Sequence, residues 1–148
     1  MGLEHTEYLE AFRQALATRS LKFTRQRQAI VEVLFLGQKH MTLDDILKEA
    51  KGLHPSVGYA TVYRTMKLLV SCGMVDEHKF PDGQARYERM SSHHHDHMIC
   101  LVCGKIIEFE DDAIEKRQHE LAEELGFLLV DHRHEIYVKC QNPPCSKR

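Results

Sequence analysis

Residues 58–90, GYATVYRTMKLLVSCGMVDEHKFPDGQARYERM, change their periodicity at Gly73. Before it, Val62, Met66 and Leu69 recur at the spacing of one helix face, which leaves Tyr63, Arg64 and Lys67 on other sides. After it, MVDEHKF (74–80) and ARYERM (85–90) follow the two-residue period of strands. Pro81, Asp82 and Gly83 between them have turn chemistry. A helix that stops at a glycine and runs into a hairpin is the closing half of a winged helix-turn-helix, the design in which one helix enters the major groove of DNA.

Upstream, the sequence supplies the helices that this design needs. Leu9, Phe12 and Leu16 share a face over residues 8–17. Thr24 reads as the N-cap of a helix that ends at Gly37, with Ile30, Val31, Val33 and Leu34 inward. Thr42 caps a third helix, Asp44 and Asp45 lie in its first turn, and KGLHPSVG (51–58) reads as a loop.

Downstream, the polar SSHHHDH (91–97) marks a change of character, and a hinge is expected over 86–92. Two strands, HMICLV (97–102) and KIIEF (105–109), then precede a helix over about 112–125. Gly126 ends that helix, and FLLVDHRHEIYVK (127–139) reads as a long strand. The expected fold is therefore α+β, with a winged-helix domain over 1–86 and a small α/β dimerisation domain over 93–148. A block of that size is marginal on its own and calls for a metal staple, a second subunit, or both.

The formal net charge of −2 over 148 residues excludes a uniformly basic nucleic-acid coat, so DNA contact must come from a local patch. Arg19, Lys22, Arg25 and Arg27 form one candidate, although a solvated helix start has the same appearance. No apolar run approaches the ~20 residues of a membrane helix, and the acidic N-terminus is no signal peptide, so a cytoplasmic location is expected.

Four of the five cysteines form two close pairs, Cys100/Cys103 and Cys140/Cys145. Disulfides are not expected in such a compartment, and four thiolates in two pairs suit a tetrahedral structural Zn²⁺. Gly104 favours the knuckle turn. Cys72, beside Val70 and Val75, reads as a small buried hydrophobe.

Seven of the eleven histidines fall between His93 and His134. If 93–97 is extended, His95 and His97 point to one face and His94 and Asp96 to the other. One strand then feeds two sites of mixed nitrogen and oxygen donors, which suits borderline divalent ions such as Fe²⁺ or Zn²⁺. Glu88, Glu108, Glu115, His40 and His132 are further donors. A solvated His-rich loop is the bland alternative. Neither HExxH nor GxSxG nor a Gly-rich phosphate loop occurs, so no catalysis is expected.

ATVYR (60–64), HHHDHMICLVCGKIIEF (93–109) and the terminal Cys-x4-Cys together resemble the ferric uptake regulator family, over about residues 16–145. The resemblance implies a homodimer and a structural zinc on Cys100, Cys103, Cys140 and Cys145. It implies a regulatory metal on His40, Glu88, His95, His97 and Glu108, and an additional metal on His94, Asp96, Glu115 and His132. It also implies that Tyr63 and Arg64 meet the major groove and that Lys22 reaches the minor groove. Peroxide-sensing members carry Asp where iron-type members carry Glu, so Glu88 and Glu108 resemble the iron type.

The function so implied is an Fe²⁺-dependent repressor, with Mn²⁺ or Zn²⁺ able to substitute, on a pseudo-palindromic double-stranded operator controlling metal-homeostasis genes. Pairing of dimers into tetramers stays open. Binding would act by clamping the two domains about the regulatory ion. The alternatives are a zinc- or peroxide-responsive repressor of the same architecture and a zinc-storage or metallochaperone protein that ignores DNA.

Overall fold

The computed structural model describes residues 4–37, 39–90 and 95–141. The chain divides into two compact units, Met1–Ser92 and His93–Arg148.

Unit 1 contains helices α1 (His5–Ala17), α2 (Arg25–Leu36), α3 (Leu43–Leu53) and α4 (Tyr59–Ser71), followed by strands β1 (Val75–Lys79) and β2 (Ala85–Arg89). The strands pair antiparallel, Asp76 opposite Glu88 and His78 opposite Arg86. Gly83, at φ +80°, supplies the left-handed residue their turn requires. Phe12, Leu16, Ile30, Ile46, Val62, Met66 and Leu69 form the core, all at most 1% exposed. Wing and core are tied by Tyr8, whose hydroxyl donates to the Met74 carbonyl at 2.9 Å. Burial raises the Tyr8 phenol well above its ordinary pKa.

Both threonine caps form as the sequence suggests: the Thr24 hydroxyl accepts from the Arg27 amide, and the Thr42 hydroxyl from the Asp45 amide. Asp45 returns the contact to the Thr42 amide at 2.9 Å and completes a capping box. The Thr42 hydroxyl and amide hold the Asp45 carboxyl below its usual pKa. Its contribution is therefore present above the unfolded carboxylate range and is lost as pH falls through the folded value. Thr42→Ala should lower unfolding free energy by about 1 kcal/mol in urea melts and remove the part of that pH dependence that the hydroxyl supplies, since the residue 42 amide remains.

Two expectations change in this unit. Residues 51–53 belong to α3 and not to a loop, because the Ala50 face is fully buried and carries the helix to its cap at His54. Of the segment expected as a hinge over 86–92, residues 86–89 are held in the β2 ladder, and 91–92 lie outside the described residues.

Unit 2 contains β3 (Asp96–Cys100), β4 (Ile106–Phe109), α5 (Asp112–Glu124) and β5 (Glu135–Val138). The sheet order is β4-β3-β5, with β3 antiparallel to β4 and parallel to β5. The long strand expected over 127–139 is reduced to β5, and 127–134 carry no regular structure. The apolar pattern at 127–130 has another cause: Phe127, Leu128 and Val130 are 70%, 84% and 90% exposed. None of the thirteen residues of α5 is buried. Among the described residues of unit 2, Ile99 and Cys100 are the buried apolar groups. No helix of the described residues is long and apolar enough to cross a membrane.

Candidate metal centres and DNA-binding groove

The thiol cluster begins at the turn after β3. The Gly104 amide donates to the Cys100 carbonyl at 2.9 Å, and Gly104 itself sits at φ +69°. This knuckle turns Cys103 back toward Cys100, and β5 delivers Cys140 beside them because it runs parallel to β3. Cys140 Sγ lies 3.2 Å from Cys100 Sγ and 3.9 Å from Cys103 Sγ. Four sulfurs about 2.3 Å from a tetrahedral ion stand roughly 3.8 Å apart, so the donor set fits zinc. Backbone amides of Cys103 and Val102 lower the Cys100 thiol to about 7, which favours the thiolate a metal needs. Cys72, Cys100 and Cys103 form no disulfide. Cys145 lies outside the described residues. Cys72 is half-buried rather than a full member of the core.

The proposed regulatory donors fall into two groups, one in each unit. In unit 1, the amide of Met41 donates to the Tyr87 carbonyl at 3.0 Å, and the Tyr87 amide donates back to Met41 at 2.8 Å. This bridge places His40 and Glu88, each next to one of its members, side by side: His40 Nε2 is 3.5 Å from Glu88 Oε2. His40 takes a left-handed backbone at φ +64°, uncommon for a residue with a side chain and a conformation that clusters at functional sites. Glu88 is 5% exposed, too deep for a carboxylate without a charged or hydrogen-bonding partner. In unit 2, the rings of His95 and His97 stand 5.0 Å apart, His97 pairs with Glu108 across β3 and β4, and His95 Nε2 is 3.8 Å from Glu108 Oε1.

The other face of β3 holds a further cluster. Asp96, 1% exposed, directs Oδ1 toward His132 Nε2 at 3.7 Å. The same His132 nitrogen is 3.2 Å from Glu115 Oε1 at the start of α5. Asp96, Glu115 and His132 bring one donor atom each within 4.8 Å of one another, a mixed set that suits a borderline divalent ion. His94 lies outside the described residues.

Two histidines in these clusters were not singled out from the sequence. His78 Nε2 is 2.9 Å from Glu88 Oε1, and His134 Nδ1 is 3.1 Å from Asp96 Oδ2. A two-residue period would have found both, since Asp76/His78 and His132/His134 are pairs on one side of an extended chain.

Two of the three sequence-predicted DNA residues meet in unit 1. Lys22 and Arg64 line one groove together with Arg27, Gln26 and Thr61. Arg27 donates to the Lys22 carbonyl and so fixes the loop that carries the lysine. Tyr63 is 46% exposed on α4, while Val62 and Met66 on the same helix are fully buried. Lys67 is engaged by Glu77 of β1 at 2.9 Å and so ties α4 to the wing.

A winged helix in a chain whose second unit presents thiol, imidazole and carboxylate donors in binding proximity defines a metal-responsive transcription regulator. The sequence profile described as "Ferric uptake regulator family" matches residues 18–137. The ferric uptake regulation protein of Campylobacter jejuni is 41% identical over 95% of this chain and 92% of its own length. The structure of the Helicobacter pylori ferric uptake regulator, described as revealing three functional metal binding sites, superposes with a TM-score of 0.89. It is 30% identical and covers 99% of this chain and 96% of its own. A Pseudomonas aeruginosa regulator solved with manganese is 39% identical, with a TM-score of 0.76 over 88% of this chain and 98% of its own. This chain belongs to the ferric uptake regulator family.

Proposed function

We propose that this protein is a divalent-metal-dependent transcriptional repressor, with Fe²⁺ as its regulatory ion, that binds a pseudo-palindromic operator as a homodimer. The observation that carries this reading is the division of preorganised donors between the units. His40 and Glu88 stand together in unit 1, and His95, His97 and Glu108 stand together in unit 2. An ion that takes all five as ligands favours the one arrangement of the units that lets it do so. A ligand shifts a conformational equilibrium only through such differential affinity. The glutamates at 88 and 108 support the iron-type assignment. Asp96, Glu115 and His132, with His94, would hold a second ion, and Cys100, Cys103, Cys140 and Cys145 a structural zinc.

A second copy of the chain is the partner that suits unit 2. A helix with no buried residue, next to exposed Phe127, Leu128 and Val130, is costly in water and is relieved by association. A two-fold dimer presents two α4 helices, hence the palindromic operator. On each helix Tyr63 would meet a thymine methyl and Arg64 a phosphate or guanine edge, with Lys22 in a narrow minor groove.

The deciding experiment is an anaerobic DNA-binding titration of the zinc-loaded dimer with Fe²⁺, Mn²⁺, Zn²⁺ and chelator, with metal content measured per chain. Operator binding must appear with the ion and vanish with chelation; binding at no metal level would leave a storage or chaperone protein. Affinity alone will not name the ion, since Zn²⁺ binds such donors at least as tightly as Fe²⁺. Arg64→Ala should weaken operator binding by roughly 10-fold or more, the value of one good base or phosphate contact, with metal uptake unchanged.

A further inference from the structure

The two buried carboxylates of the metal clusters are held in the same way. Glu88 faces His40 with Oε2 at 3.5 Å and His78 with Oε1 at 2.9 Å. Asp96 faces His132 with Oδ1 at 3.7 Å and His134 with Oδ2 at 3.1 Å. In each case one oxygen looks toward a proposed ligand histidine and the other is gripped, at closer range, by a histidine outside the ligand sets. The two arrangements lie in different units, on unrelated strands, and use different ring nitrogens, Nε2 in His78 and Nδ1 in His134.

We propose that His78 and His134 are positioning residues, each using a ring N–H to tether one oxygen of a metal-binding carboxylate so that the other is presented to the ion. The inference rests on Glu88 and Asp96 being ligands, as set out above. Its physical basis is general. A free carboxylate rotates about its last torsion and alternates between one-oxygen and two-oxygen binding. A hydrogen bond to one oxygen removes that freedom before the ion arrives, so less entropy is lost on binding. Outer partners of this kind are worth roughly 10- to 100-fold in metal affinity.

The local structure makes the tether of Glu88 more than incidental. Asp76 stands directly opposite Glu88 in the β1–β2 register, and like charges so placed repel. Asp76, His78 and Glu88 all bring a donor atom within 4.8 Å of one another, so the imidazole of His78 lies where it holds Glu88 against that repulsion. Its ring also stacks on that of His40, with 6.3 Å between centroids and 14° between planes, which restrains the ligand imidazole as well.

The test uses the full-length zinc-loaded protein, titrated anaerobically with Mn²⁺ and with Co²⁺, whose visible absorption reports each ion's ligand field. His78→Ala should weaken the regulatory site by roughly 10- to 100-fold and leave the Asp96 site unchanged, and His134→Ala should do the reverse. The number of ions bound per chain should stay as in the parent, and the apo-protein should stay folded, although the His78→Ala apo-protein should melt somewhat lower because Glu88 loses a buried partner. Rescue is specific to the nitrogen used. His78→Gln places an amide N–H near the Nε2 position and His134→Asn near the Nδ1 position, and each should recover most of the affinity. Alanine variants with unchanged affinity overturn the proposal. So does loss of one bound ion, which makes the histidine a ligand, and so does equal loss at both sites or failure of the amide variants to rescue. Glu88→Ala and Asp96→Ala run alongside separate the two levels. If they weaken their sites while the histidine variants do not, only positioning fails; if they change nothing, the ligand assignment fails with it.

Discussion

Replacing His40 or Glu108 with alanine is expected to abolish metal-dependent operator binding while leaving a folded dimer. His40 belongs to unit 1 and Glu108 to unit 2, so either change removes one donor from the set proposed for the regulatory ion. Loss of a direct ligand should exceed the roughly 100-fold upper range of outer-partner losses, which is about 2.7 kcal/mol. A switch from one closed molecule in a hundred to ninety-nine in a hundred needs about 5.5 kcal/mol of differential affinity, so half of the switching energy is lost or more. The measurement is operator affinity against free Fe²⁺ or Mn²⁺, with sedimentation to show that the dimer survives. Neither residue lies in the apolar core, so the apo-protein should melt as the parent does. A variant that binds operator like the parent at saturating metal would sink the clamp. His40→Asn is a useful companion, because asparagine tolerates the left-handed backbone of this position and separates loss of the ligand from loss of the loop.

The second large effect is expected from the thiols. Among the described residues the buried apolar cluster lies in unit 1, whereas Ile99 and Cys100 are the buried apolar residues of unit 2. A three-stranded sheet and an unburied helix do not offset the conformational entropy of ordering some fifty residues. A structural zinc contributes an apparent free energy of roughly 10–16 kcal/mol in small metal-dependent folds. Cys100→Ser together with Cys103→Ser, or a strong chelator under reducing conditions, should therefore unfold unit 2 and dissociate the dimer. Unit 1, with its own core, should keep its helices. Zinc content, sedimentation and amide NMR or hydrogen exchange read these three outcomes separately. A zinc-free protein that stayed dimeric, with a protected sheet in unit 2, would refute the staple.

The winged helix was legible because its signals are local. Thr24 and Thr42 cap helices by side-chain contacts three residues long, and the change from helical to alternating period at Gly73 needs only a short window. Unit 2 was harder. The apolar residues 127–130 suggested a strand, but they are exposed, since an apolar run reports a need for burial and not which surface meets it. A strand was expected from 127 and forms only at Glu135–Val138, where parallel pairing with β3 provides partners for the backbone.

For the metal centres, the sequence alone determined the donor chemistry and, through the two-residue period of an extended chain, the division of His95 and His97 from Asp96. It determined the cysteine pairs and the helix that presents Tyr63 and Arg64. The tertiary structure decided which distant groups meet: His40 with Glu88 through the Met41–Tyr87 bridge, and Cys140 with Cys100 through the parallel strand. It also decided which oxygen of Glu88 or Asp96 faces which imidazole, and so brought His78 and His134 to notice. Periodicity describes one segment and is silent on register between segments, because register is set by hydrogen bonds and packing between residues far apart in the chain.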